Sequence, residues 1–120
     1  MKKLTIQEEE AMLSIWRLKG CFIKEILDNM ADDSIPYTTL ASTIKNLERK
    51  GYVKAKKYAN AKRYEPVVSE TEYKEKFMNS FVSDFFKSSY KEMVSFYTKE
   101  EKITEEELLE IIEMIKQGKS

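Results

Sequence analysis

Between Lys45 and Arg63 the chain carries eight basic side chains (Lys45, Arg49, Lys50, Lys54, Lys56, Lys57, Lys62 and Arg63) against one acid, Glu48. Such an excess suits a polyanion, because each cation seated on a phosphate releases a condensed counterion and that release drives much of nucleic-acid binding. Just upstream, Thr38, Thr39, Ser42, Lys45 and Asn46 supply hydroxyl, ammonium and amide groups, the types that reach base edges and flanking phosphates in a major groove. These five are the candidates for groove or base contacts. Arg49, Lys54, Lys56, Lys57, Lys62 and Arg63 are the candidates for phosphate contacts.

Other chemistries lack their parts. There is no histidine and one cysteine, Cys21, which removes every Ser-His or Cys-His nucleophile pair and any ordinary thiolate or imidazole zinc site. No Gly-rich phosphate loop is present. An enzyme is not expected, nor any metal or other cofactor. The acidic runs Glu8 to Glu10 and Glu105 to Glu107 read as first turns of helices, where the macrodipole favours acids. Cys21 reads as a small buried residue.

The elements that must carry the basic groups are marked by helix-start signals. Thr5 with Glu8, Ser69 with Glu72 and Thr104 with Glu107 are capping-box pairs ahead of amphipathic stretches; Thr98 with Glu101 matches too, but no apolar run follows it. The first helix holds Ala11, Met12, Ile15, Trp16 and Leu18 and stops at Gly20. A second spans about Phe22 to Met30, followed by a polar turn at Asp32-Asp33-Ser34. Pro36 opens a third, with Leu40, Ile44 and Leu47 at i, i+4 and i+7. On a wheel, Thr38, Ser42, Lys45 and Arg49 lie opposite that apolar side. Gly51 ends the helix. Two strands then flank a turn at Ala59-Asn60-Ala61, with Pro66 at a strand edge or end. Tyr52 and Tyr64 are expected to pack this hairpin onto the third helix; the competing reading makes Tyr52, Tyr58 and Tyr64 stacking platforms for single strands.

Three helices and a hairpin outline a winged helix-turn-helix, so the expected fold is mainly α with a small β-hairpin, followed by a helical dimerisation arm. The expected domains are 1–68 for DNA binding and 69–120 for dimerisation. Charge divides at the same place. Of 21 basic and 21 acidic residues, 13 and 9 fall in the first part and 8 and 12 in the second. The arm carries Tyr73, Phe77, Phe81 and Phe85 at successive fourth positions, then Phe86, a short helix with Tyr90, Met93, Val94 and Tyr97, and a last helix with Leu108, Leu109, Ile111, Ile112, Met114 and Ile115. A segment this small cannot bury so much apolar surface alone. Tyr73, Phe77, Phe81, Phe85, Phe86, Leu108, Leu109 and Ile112 are therefore the candidate dimer contacts, the alternative being that the stripe packs back on its own winged helix. A symmetric dimer presents two recognition helices about 34 Å apart, which implies a palindromic operator.

From Pro36-Tyr37-Thr38-Thr39-Leu40 through Asn46-Leu47-Glu48-Arg49-Lys50-Gly51-Tyr52-Val53, the sequence resembles the penicillinase repressors, the BlaI/MecI family of bacterial transcriptional regulators. The wing from Lys56 to Tyr64, followed by Glu65-Pro66, is similar too. The likeness extends over nearly the whole chain, from the Trp16 helix to a final acidic, leucine-rich helix. It implies a homodimeric repressor of palindromic double-stranded DNA with a three-helix dimerisation arm, a membrane-bound sensor protease as a further partner, and release by cleavage in the arm. The cleaved Asn-Phe bond of antibiotic-responsive members falls at Ser95-Phe96, with Ser in place of Asn. Asn46 stands where members commonly have Arg, and Ala41 where several have a long polar side chain. The chain lacks the C-terminal cysteines of the copper-responsive branch.

The sequence thus reads as a sequence-specific DNA-binding repressor. Its rivals are a winged-helix regulator controlled by a small ligand held between the two modules, and a winged-helix protein-interaction module that never binds DNA. The longest apolar run is three residues (Ala11 to Leu13 and Cys21 to Ile23), far short of the ~20 a spanning helix needs. Met1-Lys2-Lys3 is not followed by a secretory apolar core. The expected location is the cytoplasm.

Overall fold

The computed structural model describes residues 1–30 and 34–118. The expected turn residues Asp32 and Asp33 lie outside the described residues. Among the described residues six helices and three short strands follow one another as α1 (Ile6–Leu18), β1 (Cys21–Phe22), α2 (Ile23–Asn29), α3 (Tyr37–Arg49), β2 (Val53–Tyr58), β3 (Ala61–Pro66), α4 (Glu70–Phe86), α5 (Tyr90–Lys99) and α6 (Glu105–Lys116). They divide into two units, one up to Lys74 and one from Glu75 onward.

In the first unit α1 opens on the anticipated capping box. The Glu8 amide donates to Thr5 Oγ1 (3.1 Å) and the Thr5 amide to Glu8 Oε1 (2.9 Å), which satisfies two orphan donors at once. Ala11, Met12 and Ile15 are wholly buried. The helix ends where Lys19 and Gly20 both turn left-handed, with φ of 57° and 96°, and the Gly20 amide reaches back to the Ile15 carbonyl at 3.0 Å. In α3 the apolar spacing does what it promised: Leu40, Ile44 and Leu47 are buried, each contributing about 1.5–3 kcal/mol relative to exposure. Gly51, at φ 85°, reverses the chain, and the Tyr52 amide caps the Leu47 carbonyl at 2.9 Å.

Two details of the β structure differ from expectation. The sheet has three strands, not two, in the order β1-β3-β2, because Cys21 and Phe22 pair antiparallel with Tyr64 and Arg63. This shortens the second helix to Ile23–Asn29. A two-residue strand is too short to show alternation, so its sequence looked like the start of a helix. The turn is also tighter: Tyr58 pairs with Ala61, leaving only Ala59 and Asn60 in it, with Ala59 at φ 51°.

Tyr52 and Tyr64 are buried in this core, as expected for residues that hold the hairpin in place, whereas Tyr58 is exposed. Cys21 is buried too, and burial, with the Glu25 charge nearby, pushes its thiol up to about 11. Tyr73, one of the candidate dimer contacts, lies in the first unit. Its ring lies 5.6 Å from Trp16 and 6.0 Å from Tyr52, and its hydroxyl donates to Glu9. The physical reason is the path of the connection. Trp16 Nε1 donates to the Val68 carbonyl at 2.9 Å, so the first turn of α4 starts directly over these aromatic rings.

In the second unit the helix caps again follow the sequence. Thr104 and Glu107 form a capping box, and Ser89 Oγ accepts from the Glu92 amide at 3.1 Å. Thr98 lies inside α5, its hydroxyl bonded to the Val94 carbonyl at 2.8 Å, so it starts no helix. Phe81 stacks with Phe85 (5.1 Å) and Phe86 (5.9 Å), and Phe86 meets Phe96 at 5.8 Å. Yet Val82 alone among the described residues of this unit is buried, and Phe77, Phe85, Leu109, Ile112 and Ile115 are exposed.

Candidate nucleic-acid interface

The anchoring of Leu40, Ile44 and Leu47 decides which side of α3 is offered to a partner. Thr38, Thr39, Ser42, Lys45 and Arg49 are exposed and Asn46 half-buried. Arg49 Nη1 donates to Asn46 Oδ1 at 2.6 Å, so the last turn presents an amide and a guanidinium already in register. The helix is braced from behind by Lys50, whose Nζ bonds Glu8 Oε1 (2.6 Å) and the Lys3 carbonyl (2.9 Å). Burial alone pushes the Glu8 carboxyl up, but the Lys50 and Thr5 hydrogen bonds and the Lys50 charge together draw it below its ordinary value. The charged Lys50 head is thus committed to the fold. In the sequence Lys50 is one more cation of the basic run, since Glu8 lies forty-two positions away.

The wing follows from the strand register. Partners across β2 and β3 are Lys54 with Glu65, Lys56 with Arg63 and Lys57 with Lys62. Opposed residues share a face of the sheet, so Lys54, Lys56, Tyr58, Arg63 and Glu65 lie on one side and Lys57 and Lys62 on the other. Lys54, Lys56, Lys57 and Lys62 are all exposed. Like charges directly opposite one another destabilise a ladder, and here two of its pairs are like-charged. On the first face Lys56 Nζ stands 5.9 Å from the centre of the Tyr58 ring, which meets Phe22 edge-on at 6.1 Å. No local pattern signals the Phe22–Tyr58 contact, because a two-residue strand such as the one carrying Phe22 has no alternation to show.

Arg63 is placed differently from the lysines. Its Nη1 donates to Glu65 Oε2 at 2.9 Å, and its Nη2 to the carbonyls of Gly20 (3.0 Å) and Lys19 (3.3 Å). Among the described residues no group of three or more acidic or thiol side chains is placed to hold a metal ion. Nor is any helix there long and apolar enough to cross a membrane.

Three helices, a short strand between the first two, and a two-stranded wing after the third define a winged-helix DNA-binding fold. Its closing helices form a separate unit. The solved solution structure of the DNA-binding domain of the repressor BlaI is similar, with a TM-score of 0.52 and 25% identity over 61% of this chain and 94% of that one. A family described as penicillinase repressor matches residues 4–117, and the chain belongs to that family. It is a family of non-enzymatic repressors, in agreement with the resemblance read from the recognition helix and wing. No curated protein matches the chain.

Proposed function

We propose that the chain acts as a homodimeric, sequence-specific transcriptional repressor, with α3 in the major groove of a palindromic operator and the wing on the flanking backbone. The observation that carries this reading is the pairing of Lys57 with Lys62 on an exposed ladder, beside an α3 face of Thr38, Thr39, Ser42 and Lys45. A fold gains nothing by opposing like charges in water; facing a row of phosphates, the same arrangement becomes favourable. Lys54, Lys56, Lys57, Lys62 and Arg49 then set the register. The α3 hydroxyls, Lys45 and Asn46 discriminate among bases. No arginine stands early on α3, so hydroxyl contacts, thymine methyls and DNA shape carry the discrimination.

Exposed Phe77, Phe85, Leu109, Ile112 and Ile115 support dimerisation through the second unit, because a unit with so many large apolar side chains in water gains by covering them with a second copy. For release, the resemblance points to a membrane-bound sensor protease and the Ser95-Phe96 bond. That bond sits inside α5, so a protease that takes its substrate extended has first to unwind the helix.

Fluorescence anisotropy across a salt series, with DNA from upstream of the protein's own gene and a scrambled control, tests the proposal. Tight binding to the upstream DNA, at two chains per site and falling steeply with salt, is the expected result. Equal, weak binding to both DNAs would reject the repressor reading.

A further inference from the structure

We propose that Arg63 is a positioning residue and not a phosphate contact. It fastens the wing to the end of α1, so that Lys56, Lys57 and Lys62 meet the DNA backbone as one rigid set. The proposal rests on the DNA-binding reading above.

Composition places Arg63 with the lysines; geometry removes it from them. Its charge is matched by Glu65 at 2.9 Å, two positions along the same strand and on the same face. Its other terminal nitrogen bridges two carbonyls at the C-terminal end of α1, those of Lys19 and Gly20. A helix C-terminus is the negative end of the macrodipole, and a cation there is stabilised. One planar group therefore joins β3 to the loop where α1 ends, and only a guanidinium has donors spread widely enough to do so.

Gly20 shows how closely the clamp is built. A Cβ at that position would lie 2.7 Å from Arg63 Nη1 and 3.1 Å from its Cζ, and the backbone stands at φ +96°. Gly20 is thus favoured by the turn, and a side chain there would displace the guanidinium from its seat.

The wing needs such a fastening. A two-stranded ribbon is marginal by itself, and this one carries the Lys57–Lys62 and Lys56–Arg63 oppositions. Among the described residues one further strand, β1, pairs with β3 through Cys21 and Phe22, at the level of Tyr64 and Arg63. Past Arg63 no further strand among the described residues lies beside the ribbon, so the clamp, with the Phe22–Tyr58 ring contact nearer the tip, is what holds the wing there.

The test uses the full chain in the anisotropy salt series, with Lys62→Ala, Arg63→Lys, Gly20→Ala and the double change of Arg63→Lys with Lys62→Ala. Lys62→Ala should flatten the slope of log affinity against log salt by about 0.9, the loss of one phosphate contact. Arg63→Lys keeps the charge but loses the fork. It should weaken binding about tenfold or more, flatten the slope by more than one contact, and leave Lys62→Ala little further effect. Gly20→Ala, which changes no charge, should act in the same way. Amide hydrogen exchange should quicken from Lys56 to Lys62 while α3 stays protected.

Arg63→Lys with wild-type affinity and slope would mean a plain phosphate contact and overturn the proposal. A lowered Tm with DNA binding unchanged below it would reduce Arg63 to a fold contact, and would overturn it equally. If the wild-type protein binds neither DNA, the repressor reading fails by itself. Hydrogen exchange then judges the clamp: unchanged protection of the wing in Arg63→Lys would sink it.

Discussion

Lys57 and Lys62 stand directly opposite each other on the exposed ladder between β2 and β3, on the same face of the sheet. Neither has an acid as its cross-strand partner; Glu65, the one acid of β3, faces Lys54 on the other side of the sheet. On the proposed function the free protein carries the cost of this pair, and binding a polyanion offsets it.

Replacing one of the two should therefore move stability and affinity in opposite directions. Lys57→Glu turns a like-charge pair into an attractive one and should stabilise the free protein by about 0.2–1 kcal/mol. It should weaken binding to specific and scrambled DNA alike and flatten the salt slope by at least about 0.9. Thermal unfolding without DNA and anisotropy with it would show both; a fall in both stability and affinity would contradict the role given to the pair.

The α3 face should behave otherwise. Ser42→Ala and Lys45→Ala should change the ranking among operators that differ by single base pairs, each such step being worth about 1–3 kcal/mol. Binding to scrambled DNA should change less than binding to the operator. A panel of substituted operators measures this, and an unchanged ranking would mean that α3 does not read bases.

The Glu8–Lys50 pair gives the first unit a dependence on acid. Glu8 is held below its ordinary value by Lys50 and Thr5 despite its burial. The stability it contributes is complete above the usual glutamate range and is lost as pH falls through its lowered value. Glu8→Gln, which leaves Lys50 without its anion, should cost about 1–3 kcal/mol at neutral pH. The difference from wild type should shrink below about pH 4. Denaturant unfolding followed through Trp16, the one tryptophan, reports it; a gap that is constant with pH would refute the linkage.

Tyr73 and Phe85 lie three helical turns apart on α4 yet should fail differently. Tyr73→Ala removes ring contacts with Trp16 and Tyr52 and should destabilise the first unit by about 2 kcal/mol, with a change in Trp16 emission. Phe85, 71% exposed, should instead affect self-association: Phe85→Ala should raise the dimer dissociation constant with little change at Trp16. Sedimentation equilibrium at micromolar protein separates the two effects, and a Phe85→Ala profile identical to wild type would count against the arm as dimer interface.

Much of this was legible because it is local. Capping boxes at Thr5 and Thr104, the i, i+4, i+7 spacing of Leu40, Ile44 and Leu47, and the left-handed Gly51 are properties of a few consecutive residues. They settle where helices start, which side they bury and where they stop, and hence that Thr38, Ser42 and Lys45 face outward. The density of cations from Lys45 to Arg63 is likewise a property of the chain itself.

Local patterns along the chain therefore set the order and kind of elements, the winged-helix outline and the basic character of the wing and third helix. Tertiary structure alone decided which of those cations is free. Lys50 faces an acid forty-two positions away, Arg63 faces carbonyls more than forty positions away, and Tyr73 joins rings from α1 and the start of the wing. A side chain's type states what it can bond, but its partner is set by chain closure over long separations, and no local pattern carries that information. The two-residue β1 shows the same limit: it is a strand only because β3 lies beside it.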